Sequence, residues 1–271
     1  MSTNKRLIAG LLGLSRKIIY YQRVRNTRDL AVKKAIENLH LAHPAYGHRR
    51  VALALGYGRK RINRIMRKYG IKPPRRKVRK RWLTHAVDNH HYTNLIRNIV
   101  PNQPGQIFVS DLTYLTYREK SIYLATVEDI FTRESVAAEL SDRHDSRLAL
   151  MAIQKALVSR PRPPEFFHSD QGSEFMATVV TRFLESQGVK VSVSDKASPW
   201  QNGYKESFFG RFKEENGDLD RFESLGELIE EIYAYLYYHN NLRIHTKLKM
   251  APAAFKQRFQ DADIVSQKPG T

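Results

Sequence analysis

The chain has 271 residues, 41% hydrophobic and 10% aromatic, with no cysteine and a formal net charge of +19. The apolar content excludes a disordered polybasic tail. The missing cysteines exclude disulfide frameworks, thiolate zinc sites and cysteine nucleophiles, and no apolar run reaches the roughly 18 residues of a membrane span. The charge is uneven. Residues 1–100 hold 25 Lys and Arg against three acids, Asp29, Glu37 and Asp88, a surplus of 22; residues 101–271 hold 21 against 24, a deficit of 3. A basic module joined to a near-neutral one implies a polyanionic partner, nucleic acid first of all.

In chain order, the N-terminal stretch has a short apolar segment, Leu7–Leu12, without a cleavage-site pattern, so it reads as folded and not as a signal peptide. Ser15 fits an N-cap for a helix over Arg16–Arg23. A helix over Asp29–His40 places Leu30, Val32, Ala35, Ile36 and Leu39 on one side. After Pro44 and Gly47 come Arg49–Leu55, the turn Gly56-Tyr57-Gly58, and Arg59–Tyr69. Glycine turns between short helices suit a helix-turn-helix. In the last of these helices Ile62, Ile65 and Met66 form an apolar seam. Arg59, Lys60, Arg61, Arg64, Arg67 and Lys68 cover the other faces, a pattern that fits a DNA major groove.

The stretch Lys72–Arg81 is basic at seven of ten positions and holds two prolines. It reads as an extended linker in which Arg75, Arg76, Lys77, Arg79 and Lys80 track phosphates. His85, His90 and His91 have no cysteine partners and read as linker or surface residues. From residue 105 the pattern changes to strands over Gln106–Ser110, Ile122–Val127 and Glu134–Leu140. A helix over Asp145–Val158 follows, with Leu148, Met151, Ala152 and Leu157 on its apolar face. Next come a strand over Glu165–His168, a helix over Phe175–Gln187, a strand over Val189–Val193, and helices over Ser198–Glu215 and Leu225–Tyr238. Three adjacent strands followed by alternating helix and strand predict an α/β domain with a mixed sheet. The divisions are a helical DNA-binding region at 1–71, a basic linker at 72–104, a catalytic core at 105–240 and a C-terminal segment at 241–271.

Three carboxylates stand out by position. Asp111 ends the first predicted strand, Asp170 follows the Phe166–His168 run, and Glu206 lies on a later helix. Ligands of open α/β sheets gather at the carboxyl ends of strands. Clustered carboxylates repel one another and raise their own pKa values unless a cation joins them. Mg²⁺ accepts oxygen ligands, and a pair of such ions serves in-line phosphoryl displacement.

The motifs around these acids are Ser110-Asp111-Leu-Thr-Tyr-Leu, Tyr123-Leu-Ala-Thr-Val-Glu-Asp129, His168-Ser-Asp-Gln-Gly-Ser-Glu-Phe175 and Gln201-Asn-Gly-Tyr-Lys-Glu-Ser-Phe-Phe209. Downstream are Tyr238-His-Asn-Asn-Leu-Arg-Ile-His245 and Ala251-Pro-Ala-Ala-Phe255; upstream are Ala45-Tyr-Gly-His-Arg-Arg50 and Arg64-Ile-Met-Arg-Lys-Tyr-Gly-Ile71. Taken in order, the series resembles the integrase-type DDE recombinases. Within them it is most similar to the second-reading-frame product of IS-three-type bacterial insertion sequences. The resemblance implies an RNase H-like catalytic domain preceded by an all-α helix-turn-helix region. It implies a catalytic, metal-binding triad at Asp111, Asp170 and Glu206, served by two Mg²⁺ ions that Mn²⁺ can replace. The implied activity is cleavage and strand transfer at terminal inverted repeats. The implied partners are double-stranded DNA, a second copy of the chain on that DNA and an upstream-frame product, with no membrane, in the bacterial cytoplasm at the nucleoid. A non-catalytic DNA-binding relic or repressor, and a nuclease without joining activity, are the rival readings. One departure is Gln201-Asn202-Gly203, where the family often has Asp-Asn-Ala.

Other residues carry weaker expectations. Lys213 lies seven positions after Glu206, on the same helix face, and fits a DNA phosphate or a plain surface. Asn202 reads as a DNA contact or a cap, Phe208 and Phe212 as core, and His168 as packed strand or site-facing. Asp129 ends a strand beside the candidate site, and the run from His239 to His245 binds DNA or packs the C-terminal element.

Overall fold

The computed structural model describes residues 11–13, 24–74, 92–194 and 203–266, with the side chains at 24–25, 203–207 and 263–266 left aside. The predicted elements at Leu7–Leu12 and Arg16–Arg23 lie essentially outside them, as do the three linker histidines, the basic tract at 75–81 and Asn202. The chain divides into two compact units, residues 1–73 and 74–271.

Among its described residues the first unit packs three helices: α1 (Val24–Ala42), α2 (His48–Leu55) and α3 (Arg59–Lys68). Ile62, Ile65 and Met66 are buried as their spacing predicts, against Val32, Ile36, Tyr46 and Val51. The turn between α2 and α3 depends on Gly56, whose left-handed backbone (φ 67°) lets it close α2. Leu30 is 52% exposed, contrary to the predicted face. The buried stripe of α1 is instead Asp29, Val32 and Ile36, at i, i+3 and i+7, and Leu30 lies about 100° around the helix from Asp29.

The second unit is a five-stranded mixed sheet with strand order β3-β2-β1-β4-β5. Its strands are β1 (Ile107–Tyr117), β2 (Lys120–Asp129), β3 (Ser135–Ser141), β4 (Phe166–Ser169) and β5 (Lys190–Val193). The first three pair antiparallel, and β4 runs parallel to both β1 and β5. One prediction fails here: β1 does not end at Asp111 but runs six residues further, to Tyr117. The run Leu-Thr-Tyr-Leu-Thr-Tyr is rich in β-forming residues, and Arg118 and Glu119, both at positive φ (46° and 66°), turn it tightly back into β2.

Alternating strand residues feed two cores. On one face Phe108, Leu112, Ala125, Val127, Phe167, Val191 and Val193 meet α4 (Ser146–Val158) and α6 (Thr178–Ser186). The inward side of α4 is Leu148, Ala149, Ala152, Ile153 and Ala156; the predicted Met151 is 37% exposed. The predicted helix over 175–187 is broken at Ala177 into α5 (Ser173–Met176) and α6. On the other face Leu115, Tyr117, Leu124 and Ala138 meet α7 (Gly203–Asn216) and α8 (Leu225–Asn241). Phe208, Phe209 and Phe212 of α7 are all buried there, each such side chain contributing on the order of 2 kcal/mol.

The described part of the stretch read as linker, 92–104, docks on this sheet. Thr93 O accepts from Val193 N at 3.1 Å, and Leu95 N donates to Ser192 Oγ at 3.0 Å. The C-terminal segment, given no element by the sequence reading, carries α9 (Pro252–Ser266), whose Phe255 and Phe259 pack on Phe131 at 5.5 and 5.0 Å. Among the described residues no helix is long and apolar enough to cross a membrane.

Candidate active site

Asp111 sits mid-strand, yet at the place where the sheet opens. The ladder between β1 and β4 covers only Ile107–Val109, opposite Phe166–His168. Val109 pairs with His168; Asp111 lies two residues further along β1, on the face of Val109, and Asp170 is the first residue past the end of β4. Both aspartates therefore lie just beyond the point where the two parallel strands part. Asp111 is half-buried, and its Oδ1 accepts from Leu112 N at 2.9 Å.

Asp170 is the first residue after β4, in the turn Asp170-Gln-Gly-Ser-Glu174. Its Oδ1 accepts from Gly172 N at 3.1 Å. Glu174 folds back over that turn and is buried, with its Oε1 3.4 Å from His144 Nε2. Gly172 makes this possible: a Cβ there would fall 2.6 Å from Glu174 Oε1 and 3.0 Å from Asp170 Oδ1. Burial pushes the Asp170 carboxyl up, the Gly172 amide opposes that, and the Glu174 carboxylate adds to it. Beneath the turn His168 is fully buried, with Nδ1 2.9 Å from Ser192 Oγ and Nε2 3.0 Å from Ser194 Oγ. It is a packed strand residue that fixes the end of β4.

Glu206 lies on α7; its own side chain is outside the described set. Beside the phenylalanine packing, Lys213 adds a polar tie from that helix to β1. Its Nζ donates to Thr113 Oγ1 at 2.5 Å and stands 4.7 Å from the centre of the Tyr114 ring. Thr113 shares its strand face with Asp111. A cleft of about 150 Å³ runs beside this contact, lined in part by Tyr114, Thr116, Lys213, Asn216 and Asp218. The far end of α7 is anchored by Glu215. Arg243 holds it bidentately (Nε to Oε2 2.8 Å, Nη2 to Oε1 2.6 Å), and Tyr235 Oη donates to Oε2 at 3.0 Å. Arg243 and Tyr235 are buried and the Glu215 side chain is only 7% exposed, so Arg243 packs the C-terminal element against the core. Although burial opposes its charge, the Glu215 carboxylate raises the Arg243 pKa; burial also pushes the Tyr235 hydroxyl up.

Asp129 belongs elsewhere. It pairs with Phe108, on the opposite face of the sheet from Asp111, and its buried carboxylate accepts from Gly105 N, Phe131 N and Thr132 N. It knots the β2–β3 turn. Among the described residues no three His, Asp or Glu side chains gather closely enough to hold a metal. The side chain of Glu206, the third of the candidate set, lies outside the described residues.

In the helical unit, Arg59 and Lys60 are exposed on α3 and Arg61 lies over the Tyr57 ring at 4.8 Å. Arg64 and Lys68, expected among the DNA contacts, both turn to the buried Asp29.

Residues 101–199 and 187–252 each match the integrase core domain, and residues 27–79 match an HTH-like domain. The 31 kDa protein of insertion element IS600 from Shigella sonnei is 31% identical over 87% of this chain and 90% of its own length. InsK of insertion sequence element IS150 from Escherichia coli K12 is 30% identical, over 84% and 83%. The chain belongs to the IS-three-type insertion-sequence transposases. The transposase for element IS904 from Lactococcus lactis is 29% identical over 71% of this chain and 83% of its own. A solved HTLV-2 integrase catalytic core with magnesium is 18% identical, covering 57% of this chain and 97% of that one, with a TM-score of 0.45.

For this family member the mixed sheet is the integrase-core, RNase H-like fold that the resemblance implies, preceded by the helix-turn-helix region. Several partners of the candidate residues were not picked out from sequence. Glu174 had a signal, since it follows Asp170 by four residues in one motif. Asp29 had another, as one of three acids among 25 cations. Thr113 and His144 had none, because only the fold brings them to Lys213 and Glu174.

Proposed function

We propose that this chain is a DNA transposase that cleaves the ends of an insertion sequence and joins them to target DNA, with Asp111, Asp170 and Glu206 as its catalytic carboxylates. The observation that carries this reading is that Asp111 and Asp170 both lie just beyond the last paired residues of β1 and β4. The Lys213–Thr113 contact supports it by tying the helix of Glu206 to the Asp111 face of β1.

The donor chemistry fits a divalent metal. Asp111 and Asp170 offer hard oxygens, and the carboxyl of Asp170 is raised by burial and by Glu174, a strain that a divalent cation relieves. The three carboxylates would hold Mg²⁺, with Mn²⁺ able to replace it. When bound, such ions activate the attacking oxygen and stabilise the leaving one. The chain's own residues would position that site: Asp111 presents its carboxylate from a rigid central strand, Asp170 presents its own from a turn braced by Gly172 and His168, and Lys213 would pair with a neighbouring phosphate. In the first step a water oxygen bonds to phosphorus and a 3′-oxygen leaves as hydroxyl. In the second that 3′-hydroxyl attacks a target phosphate, and the target's 3′-oxygen leaves. Phosphodiester bonds are exchanged without a covalent protein intermediate.

The helix-turn-helix unit would recognise the terminal inverted repeats through Arg59, Lys60 and Arg61. Arg75, Arg76, Lys77, Arg79, Lys80 and Asn202 would add backbone or end contacts. Two copies of the chain would bridge two ends, with an upstream-frame product as a further partner. The test is incubation with end-labelled repeat DNA, a plasmid target and Mg²⁺. Joined products are expected. Nicking without joining would make the chain a nuclease, and binding alone would make it a repressor-like relic.

A further inference from the structure

Two of the contact candidates on α3, Arg64 and Lys68, pair with an acid of α1. Asp29 is 1% exposed, between α1 and α3. Arg64 grips it with both nitrogens, Nη1 to Oδ2 at 2.7 Å and Nη2 to Oδ1 at 2.5 Å. Lys68, one helical turn on, donates to the same Oδ2 at 3.1 Å and to Asn26 Oδ1 at 3.0 Å. The Arg64 guanidinium and then the Lys68 ammonium hold the carboxyl well below the usual carboxylate range, against the effect of burial. Positions 64 and 68 are i and i+4 on one side of α3, and from there, although the Lys68 side chain is 37% exposed, both side chains reach across to Asp29 on α1.

We infer that Asp29 is a specificity-determining residue: it withdraws Arg64 and Lys68 from the DNA backbone and leaves recognition to Arg59, Lys60 and Arg61. The inference rests on the reading of α3 as a DNA-contacting helix. Sequence-independent affinity scales with the number of cations a protein sets against phosphates. Specificity is the ratio of repeat binding to that background. In a unit this basic, an acid that removes two cations from the count lowers the background without touching base contacts. The same bidentate grip fixes the rotation of α3 about its axis, and so which side chains face outward.

The full-length chain is titrated with a mixed-sequence duplex across a salt series, and the slope of log affinity against log salt is read. Lys60→Met flattens the slope by about 1. Lys68→Met leaves it unchanged, and because Arg64 still pairs Asp29 in that variant, its fold is kept. Asp29→Asn steepens the slope by about 1 to 2 and tightens binding at low salt, as Arg64 and Lys68 swing outward. A Lys68→Met slope as flat as that of Lys60→Met overturns the inference. So does a folded Asp29→Asn protein, with unchanged circular dichroism, that keeps the wild-type slope. Should Asp29→Asn not fold, Lys68→Met alone decides. A Lys60→Met slope equal to wild type removes instead the DNA-contact reading underneath.

Discussion

Asp29 in the helical unit and Asp170 in the sheet unit are the same side chain under opposite fields. Asp29 is enclosed by a guanidinium and an ammonium that hold its carboxyl down. Asp170 is pushed up by burial and faces a second carboxylate, Glu174. The first is a completed ion cluster whose task is finished on folding. The second remains short of positive charge, which is what a metal or a phosphodiester with its metal would supply. Buried acid in this protein thus means two things, and the neighbours decide which.

The comparison can be broken from either side. The largest effect belongs to the other two candidate carboxylates. Asp111→Asn and Glu206→Gln should each lower Mg²⁺-dependent end cleavage by about three orders of magnitude or more, while duplex affinity by anisotropy stays at the wild-type level. Next is the anchor of α7. Arg243→Leu strands the buried Glu215 and should destabilise the sheet unit by about 3–5 kcal/mol in urea unfolding. Adding Glu215→Leu should recover much of that loss. A single variant with wild-type stability would remove Arg243 from the anchoring role.

A smaller effect concerns Asp170 without metal. Its folded pKa is raised, so its contribution to stability is present at low pH and is lost as pH rises through that raised value. Asp170→Asn should therefore melt higher than wild type at neutral pH, by about 2–4 °C for each kcal/mol relieved. Mg²⁺ should raise the melting temperature of the wild type and not of the variant. Asp29 has the reverse sign. Its folded pKa is lowered, so its stabilisation is present above the ordinary carboxylate pKa of about 4 and is lost as pH falls toward its own lower value. Hydrogen exchange of peptides from 24–73 should show acid opening that Asp29→Asn does not share.

Much of this was legible in the sequence, for identifiable reasons. The Ile62, Ile65 and Met66 seam follows helical spacing and is buried. Asp111 and Asp170 could be marked because each sits in a motif next to a strand. The full length of β1 is hidden because polar Ser110 and Asp111 interrupt its apolar start, and the hairpin turn Arg118-Glu119 lacks the glycine that usually announces one. Met151 is not legible as exposed because the alanines that pack α4 closely on the sheet carry a weaker apolar signal than its own side chain. The Asp29 cluster joins residues 35 and 39 positions apart, a separation no local pattern reveals.

The central claim is that the acids at the opening between β1 and β4 do chemistry and do not merely shape the fold. Full-length Asp170→Asn, given end-labelled repeat DNA, a plasmid target and Mg²⁺ or Mn²⁺, tests it most directly. Cleavage and joining should both disappear while the repeat DNA is still bound. Strand transfer at the wild-type rate by that variant would contradict the account.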